Sequence, residues 1–245
     1  MKLVADGVER LLAAEDDLDA IQQVFHGIIG KMGFSHFLYA EMPPPIPLLD
    51  HGMVPFFLAR PQSLVAQYLE ILSPPEDPIA LELPRRVIPF TLDEALRAHL
   101  HPARRNRVLA LLDELGLANG LVVPLSSLQG LSYSSILFTS ERGSEAAAIL
   151  AQGQHRAHVL ACYFHRRVRD VLSHQPSPNH NLLTPREREC LLWAACGKTA
   201  WETSRILKIA ERTVKFHLAN ASRRLDTTNT THAVARAILR GEFLP

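Results

Sequence analysis

Residues 183–225 read LTPRERECLLWAACGKTAWETSRILKIAERTVKFHLANASRRL, and this stretch decides the fold of the C-terminal part of the chain. It contains two capping boxes, in which a threonine is followed three residues later by a glutamate: Thr184 with Glu187, and Thr199 with Glu202. Each box predicts the start of a helix. Gly197, between the boxes, suits the left-handed residue that ends the first of these helices.

Two further helices are predicted after the second box. A turn at 208–210 follows the short second helix, a third helix spans 211–225, and a fourth spans 230–239. A short helix, a tight turn and a longer helix make up the helix-turn-helix layout. The sequence therefore predicts an all-α four-helix domain over residues 182–245 that binds double-stranded DNA.

The predicted third helix has two different faces. Apolar residues recur at offsets of four, three and four, which is typical of a stripe that packs on neighbouring helices. The other side carries basic residues and a phenylalanine. In a major groove a lysine can donate to guanine O6 and N7, and a phenylalanine can contact a thymine methyl group. The packing stripe is Val214, Leu218, Ala221 and Leu225, and the outer face is Lys215, Phe216, Ala219, Asn220 and Arg223.

Charge is distributed unevenly along the chain. Residues 182–245 contain 11 Lys and Arg against 6 Asp and Glu, a net charge of +5, although the whole chain carries only +1. The preceding 181 residues therefore carry a net charge of −4. Such an asymmetry is consistent with a polyanionic partner for the C-terminal part alone.

The C-terminal stretch resembles the DNA-binding domain of LuxR-type transcriptional regulators. The matching residues are LTxRE at 183–187, GKT at 197–199, RTVKFH at 212–217, Asn220 and the Arg-Leu pair at 224–225. The resemblance implies a third helix in the major groove and a homodimer on an inverted repeat. Ala210 stands where the family usually has a serine N-cap. Ala219 stands where many members have a longer contacting side chain, so the operator sequence does not carry over.

Candidate DNA contacts follow from the helix faces and from the resemblance. The resemblance marks Lys215, Phe216 and Ala219 as base-facing positions. Helix N-termini and basic side chains are suited to phosphate groups. The remaining candidates, which are predicted to contact phosphates or to flank the base-facing positions, are Lys198, Thr199, Thr213, Asn220 and Arg223.

The first 172 residues alternate between helical and strand patterns, which predicts a second domain of the α+β class, built as an α/β/α sandwich. Helices are predicted at 16–32, 62–72, 91–99, 103–115 and 143–172, and strands at 36–41, 52–57, 120–124 and 132–139. A sheet with helices on both faces can enclose an apolar cavity for a small ligand. The polar, proline-containing segment 173–181 is the predicted linker.

This N-terminal part resembles the acyl-homoserine-lactone sensor domain that precedes the DNA-binding domain in some LuxR-type regulators. The matching pattern is Arg60-Pro61-x-x-Leu64-x-x-x-Tyr68, then Glu76-Asp77-Pro78, then Pro89-Phe90-x-Leu92, with Gly116, Gly120 and Pro124 before the central sheet. The resemblance implies a small apolar signal whose amide N–H is accepted by Asp77 and whose acyl carbonyl is bound by Tyr68. Ser134 or Ser135 is a further candidate hydrogen-bonding residue. Asp77 before Pro78 is also a suitable helix N-cap.

Leu64 and Leu92 depart from the sensor pattern, because most members have tryptophan at both positions. Leucine has no donor, so the hydrogen bond to the lactone carbonyl is absent at position 64. A buried carbonyl group left without a hydrogen-bond donor costs about 1–3 kcal/mol of binding free energy. We therefore expect altered signal specificity, weak lactone binding or loss of the ligand.

Two other functions of the N-terminal domain are considered. The first domain can instead serve only for dimerisation, with the helix at 143–172 as the seam through Ile149, Leu150, His158, Cys162 and Tyr163. A phosphorylated receiver is disfavoured because no suitable phosphoacceptor aspartate follows the acidic pair Asp16-Asp17.

Enzymatic, metal-binding and membrane functions are also disfavoured. No GxSxG, HExxH or phosphate-binding glycine motif is present, so no enzyme and no cofactor is expected. His155, His158, Cys162 and His165 share a helical face, but polar packing explains them better than a metal does. Three widely spaced cysteines, an acidic N-terminus and the lack of a long apolar run indicate a cytoplasmic protein without a membrane span.

Overall fold

A computed structural model of the chain describes residues 2–42, 55–72, 76–126, 133–141, 145–174, 182–239 and 242–243. The chain forms two compact units. The first is built around a five-stranded antiparallel sheet with strand order β2-β1-β5-β4-β3. Its strands are β1 (His36–Met42), β2 (Phe56–Arg60), β3 (Phe90–Thr91), β4 (Gly120–Ser126) and β5 (Tyr133–Thr139).

Helices cover both faces of this sheet, which confirms the predicted α/β/α sandwich. One face is packed by α1, α2 and α7, and the other by α3 to α6. The helices are α1 (Lys2–Leu12), α2 (Leu18–Gly30), α3 (Leu64–Ile71), α4 (Pro78–Glu82), α5 (Leu92–His99), α6 (Pro102–Glu114) and α7 (Ala146–His174), with a 3-10 turn at Leu83–Arg85.

The core between the sheet and α7 is aromatic. The ring of Phe25 stacks on that of Phe164 with centroids 4.1 Å apart, and meets Phe37 edge-on at 5.0 Å. All three side chains are fully buried. Burial of aromatic side chains contributes about 1.5–3 kcal/mol each, so this cluster fixes α2 and α7 against one face of the sheet.

The other face of the sheet has an aliphatic core. Alternate residues of β1 point to it, since side chains of a strand alternate between faces. Leu38, Ala40 and Met42 lie in this second cluster, whereas Phe37 and Tyr39 lie in the aromatic one. The helical layer over the second face comes from α3 to α6, and this is the part of the unit that holds the predicted signal-binding residues.

Several elements in the described part of the chain differ from the sequence-based prediction. The strand predicted at 52–57 is found at Phe56–Arg60, because Pro55 cannot donate to the ladder and pairing with β1 continues to Arg60 opposite Phe37. Residues 52–54 lie outside the described residues. Helices α1 and α4 and the two-residue strand β3 were not predicted.

Only part of the predicted dimer seam on α7 faces outward. Leu150 is buried, and the half-buried Ile149 packs against the same core. Val159, Cys162 and Tyr163 are exposed. The helix also continues to His174, two residues into the predicted linker, while residues 175–181 lie outside the described part of the chain.

The second unit contains four helices whose positions agree with the prediction: α8 (Pro185–Ala195), α9 (Ala200–Leu207), α10 (Glu211–Arg224) and α11 (Thr230–Leu239). Both capping boxes are formed, with each threonine side chain accepting from the glutamate N–H. Lys208, at φ 55°, makes the left-handed turn between α9 and α10. Val214, Ala221 and Leu225 are fully buried in this unit, as the apolar stripe predicts.

Candidate functional site

A buried tyrosine–aspartate pair lies beneath the second face of the sheet. The Tyr68 hydroxyl on α3 donates to both carboxylate oxygens of Asp77, at 3.1 Å each. The side chains are almost fully buried, with residue exposures of 2% for Tyr68 and 8% for Asp77. A buried carboxylate requires donors around it, so the pair forms a polar centre in an otherwise apolar layer.

Asp77 has two structural tasks at once. Its carboxylate accepts the Ile79 N–H at 2.8 Å and so caps α4, while the Tyr68 hydroxyl approaches from α3. Burial raises the pKa of Asp77 from 3.8 to about 6, against the lowering effect of hydrogen bonds from Ile79 and Tyr68. Burial also raises the pKa of Tyr68 well above its usual range, and the neighbouring carboxylate adds to this effect. An ionised carboxylate has about four lone-pair sites, so Asp77 can accept from a further donor besides the Ile79 N–H and the Tyr68 hydroxyl.

The pair borders a narrow cavity against the sheet, with a free volume of about 20 Å³. That is room for about one water molecule, so a signal molecule has to displace side chains of α3 or α4 to enter. The lining is apolar apart from three hydroxyl or carboxyl groups, which suits an apolar body with one polar end. The cavity is lined by Leu38, Ala40, Met42, Phe57, Tyr68, Leu69, Asp77, Ile79, Ala80, Leu83, Ser135 and Leu137.

Ser134 and Ser135 lie on different faces of the sheet. Ser135 lines the cavity together with Leu137. Ser134 lies on the opposite face, in register with Ile136 and Phe138 of the aromatic core. The structure therefore places Ser135, and not Ser134, at the cavity, while a hydrogen bond from either serine to a signal stays a prediction.

Leu64 and Leu92 belong to the same aliphatic core as Tyr68 but do not line the cavity itself. Leu64 is 2% exposed and borders an outer groove beside α6, whose polar lining includes Gln67 and Asn119. Leu92 is fully buried next to Gly120, where an added Cβ would come within 3.1 Å of the Leu92 Cβ. Position 64 thus stands between the buried core and a polar groove, and position 92 is closed off by the sheet.

Helix α4 is held from its far end by an ion-pair network. Glu82 is buried and binds the Arg86 Nε at 2.7 Å and the His99 Nε2 at 2.8 Å. Hydrogen bonds from Arg86 and then from His99 lower the pKa of the Glu82 carboxyl. Because His99 ends α5, the network ties α4 to α5 and fixes the position of Asp77 at the other end of the helix.

The histidines of α7 do not form a metal site in the described residues, where no group of three or more His, Cys, Asp or Glu side chains could hold a metal ion. His165 Nδ1 lies 2.9 Å from the Tyr39 hydroxyl, and Arg169 binds Glu41 at 2.7 Å. Burial lowers the pKa of His165. These groups form a polar network that joins α7 to β1.

Several cavity residues were not predicted from the sequence, notably Leu38, Ala40, Phe57 and Leu83. The first two carry a detectable signal, because they alternate along β1 with residues of the other face. Phe57 and Leu83 have no such sequence signal, because their place in the cavity depends on how β2 and the 3-10 turn pack.

The second unit presents one face of α10 to its surroundings. The side chain of Lys215 is 66% exposed and Phe216 is 61% exposed, on the side opposite the buried Val214 and Ala221. Ala219 is also exposed on this face. Lys215 pairs with Glu211 at 2.7 Å, one turn earlier in the helix. In a major groove, a phenylalanine can contact a thymine methyl group and a lysine can donate to guanine O6 and N7, so this face has the chemistry for contact with base edges.

The predicted phosphate-contacting residues lie around this face and at the start of α9. Thr199 is the exposed N-cap of α9, and Lys198 lies 3.8 Å from Glu202. Thr213 is in the first turn of α10, and the Arg223 guanidinium donates to Asn220 Oδ1 at 3.1 Å. Exposed N–H groups and cations in these places can bind phosphate oxygens.

Arg224 has an internal partner instead. Its Nε lies 3.3 Å from the buried Glu187 carboxylate, and it also donates to the Leu182 carbonyl at 3.1 Å. Arg224 therefore ties α10 to the start of α8.

Comparison with known proteins gives the same two parts. The family model "Bacterial regulatory proteins, luxR family" matches residues 181–237, and the model "Autoinducer binding domain" matches residues 17–168. The quorum sensing-dependent transcriptional regulator RpaR of Rhodopseudomonas palustris is 35% identical over 238 residues, covering 96% of this chain and 91% of that protein. The transcriptional activator BjaR1 of Bradyrhizobium diazoefficiens is 31% identical and covers 91% and 87%, respectively.

Solved structures show the same fold at low sequence identity. Escherichia coli SdiA superposes with a TM-score of 0.71 and 16% identity, covering 100% of this chain and 99% of that chain. A structure of SdiA in complex with octanoyl-rac-glycerol gives a TM-score of 0.67, also at 16% identity, and covers 98% and 94%.

Proposed function

Because the chain belongs to the LuxR family of transcriptional regulators with an autoinducer-binding domain, we propose that it binds an acyl-homoserine lactone or a related apolar signal between α3, α4 and the sheet. The signal controls binding of a homodimer to an inverted repeat in double-stranded DNA. The observation that carries this proposal is the buried Tyr68–Asp77 pair at the end of an apolar cavity.

The chemistry of the cavity suits an N-acyl amide. Asp77 accepts from the Ile79 N–H and Tyr68 and has capacity for the amide N–H of a signal. Ser135 offers a hydroxyl on the facing strand, and the apolar lining suits an acyl chain. The molecule bound in the SdiA structure is octanoyl-rac-glycerol, which has an apolar chain and a polar end. The proposed signal for this cavity has the same combination of an apolar chain and a polar end.

On this proposal the C-terminal unit binds DNA with α10 in the major groove. Lys215, Phe216 and Ala219 face the bases, and Lys198, Thr199, Thr213, Asn220 and Arg223 contact or flank the phosphates. Two units bind half-sites about one helical turn apart or a multiple of it. The proposed place of action is the cytoplasm. Separately, each helix in the described part of the chain is too short or too polar to span a bilayer.

A thermal melt of the intact chain against acyl-homoserine lactones of several chain lengths tests the signal proposal. A ligand at 100 times its Kd adds about 2.7 kcal/mol to the free energy of unfolding. We expect at least one lactone to raise Tm by several degrees. If a cell-culture extract raises Tm but no lactone does, the site binds a signal other than an acyl-homoserine lactone.

A ligand-independent regulator is the second candidate. It is favoured by the leucines at 64 and 92 and by the exposed Val159 and Tyr163 on α7, which can form a dimer seam. In that case no lactone and no extract changes Tm or the mobility of the protein–DNA complex, although the chain is folded and dimeric.

Replacing Leu64 with tryptophan is expected to strengthen lactone binding about 5- to 150-fold, because an indole N–H restores a donor worth about 1–3 kcal/mol. Leu64 is buried beside the outer groove, so the larger ring is expected to lower the Tm of the free protein through overpacking of about 1–3 kcal/mol. The lactone-induced shift in Tm measures the gain separately from this loss.

The matched control is Leu64→Phe, which adds an aromatic ring without an N–H donor. If Leu64→Phe gains as much affinity as Leu64→Trp, the effect is due to bulk. If neither variant gains across the chain-length series, Leu64 does not occupy the lactone end of the site.

A further inference from the structure

A carboxylate lies on the ridge of α10 that faces DNA in the proposed function. Residues four apart follow one another along the same side of a helix, so Glu211 precedes Lys215, Ala219 and Arg223 on this ridge. The side chains of Glu211 and Lys215 are 41% and 66% exposed and make an ion pair of 2.7 Å. The first residues of a recognition helix contact base edges, and Glu211 is the first residue of α10.

The stabilising roles open to Glu211 are small. An exposed ion pair contributes little to folding, and an acid in the first turn of a helix contributes only a modest interaction with the helix dipole. Near DNA the same carboxylate is repelled by the phosphates. An acidic group at this place is therefore unfavourable for affinity unless it accepts a hydrogen bond from a base.

The ion pair matches the major-groove edge of a G·C pair. Guanine offers the acceptors O6 and N7, and cytosine offers the N4 amino donor. O6 and N4 are hydrogen-bonded partners, roughly 2.9 Å apart, which is close to the 2.7 Å between Lys215 Nζ and Glu211 Oε1. A donor and an acceptor at this separation can therefore meet an acceptor and a donor on one base pair.

We propose that Glu211 is a specificity-determining residue, and that with Lys215 it reads one G·C pair in each half-site. Lys215 donates to guanine O6 and N7 while Glu211 accepts from the cytosine N4 amino group. A T·A pair also places an acceptor beside a donor, but thymine offers one acceptor and a methyl group where guanine offers two acceptors. The inference rests on the proposed DNA-binding function.

Selection of duplexes from a randomised pool tests it, using the intact chain and the variants Glu211→Gln and Glu189→Gln. Glu189 is the matched control, because it forms an exposed ion pair of the same length with Arg186 on α8. Both variants lose one negative charge, so both are expected to bind non-specific DNA more tightly. Glu211→Gln keeps an oxygen acceptor but loses the charge that strengthens its hydrogen bond to N4 and that pairs with Lys215. Glu211→Gln alone is therefore expected to lose discrimination against replacement of the G·C pair, by about tenfold.

A second measurement keeps the test independent of the variant's stability. The wild-type chain is titrated with its selected duplex containing N4-methylcytosine at this pair, in which a methyl group replaces the amino hydrogen of the major groove. We expect binding to fall about tenfold or more for wild type and for Glu189→Gln, and to fall much less for Glu211→Gln.

The outcomes separate this inference from the function on which it rests. The selection is run with and without the lactone that raises the Tm of the chain. If wild type enriches no sequence under either condition, the DNA-binding proposal itself fails. If wild type enriches a G·C-containing site but Glu211→Gln keeps the same base preferences and the same response to the methylated base, Glu211 only pairs with Lys215 and the inference is wrong.

Discussion

Replacing Lys215 with alanine is expected to weaken binding of the dimer to its operator by about 30-fold to 10,000-fold. A lysine that donates to guanine O6 and N7 contributes about 1–3 kcal/mol of discrimination, and two half-sites double that loss. Folding is expected to be nearly unchanged, because Lys215 is 66% exposed and its one-turn pair with Glu211 lies at the surface. Fluorescence titration of a labelled operator duplex at fixed salt measures the effect.

Lys31→Ala is the matched control, because Lys31 is an exposed lysine of the first unit, at the end of α2. It removes the same charge from the first unit, which carries no proposed DNA contact, and should leave operator affinity within about twofold. If Lys215→Ala binds the operator as tightly as Lys31→Ala does, with an unchanged Tm, Lys215 does not read bases.

Replacing Asp77 with asparagine is expected to move stability and signal binding in opposite directions. Above pH 6 the wild-type carboxylate is ionised although it is buried, and raising its pKa from 3.8 to about 6 corresponds to a cost of about 3 kcal/mol. Asparagine retains an acceptor for the Ile79 N–H and the Tyr68 hydroxyl without a charge, so we expect a higher Tm at pH 7.5. The loss of a charged acceptor for the signal costs about 1.5–3 kcal/mol, or roughly 10- to 150-fold in affinity.

The raised pKa of Asp77 also predicts how the stability difference between Asp77→Asn and wild type changes with pH. Since the folded pKa of Asp77 is raised, the folded chain binds more protons between pH 3.8 and about 6. The contribution of Asp77 to stability is therefore full below this window and is lost as pH rises through it. The Tm advantage of Asp77→Asn over wild type should be largest at pH 7.5 and shrink toward pH 5.

Asp6→Asn is the control for the pH series, because Asp6 is exposed on α1, over the other face of the sheet. Its Tm should follow that of wild type at every pH. An Asp77→Asn variant that is less stable than wild type at pH 7.5, or that binds the signal unchanged, would contradict the assignment of Asp77.

The C-terminal unit was predictable from sequence because its signals are local. A capping box places a helix start within one residue, and the boxes at Thr184 and Thr199 are formed as predicted. The α10 faces follow from periodicity alone, and the buried residues are those of the apolar stripe. The spacing of four residues between Glu211 and Lys215 is visible in the sequence, but the 2.7 Å ion pair between their side chains is visible only in the structure.

The first unit was predictable as a sandwich but less so in its details. Strand residues change faces at every step, so neighbouring serines cannot be assigned without the register; pairing of Ser135 with Pro124 and of Ser134 with Leu125 fixes it. The sequence offered two roles for Asp77, a helix N-cap and a pocket residue. These roles are compatible, because Asp77 caps α4 and accepts from the Tyr68 hydroxyl at the same time. Short elements such as α4 and β3 form through tertiary packing, which leaves little trace in local sequence.

In the proposed function, a small molecule in the first unit controls DNA binding by the second. The most direct test is to titrate the selected operator with the intact chain, with and without a saturating amount of the lactone that raises its Tm. If the bound lactone exerts this control, we expect a change in operator Kd, the same factor of change in lactone Kd when operator is present, and loss of both in Asp77→Asn. An operator Kd that is identical with and without the bound lactone would contradict it.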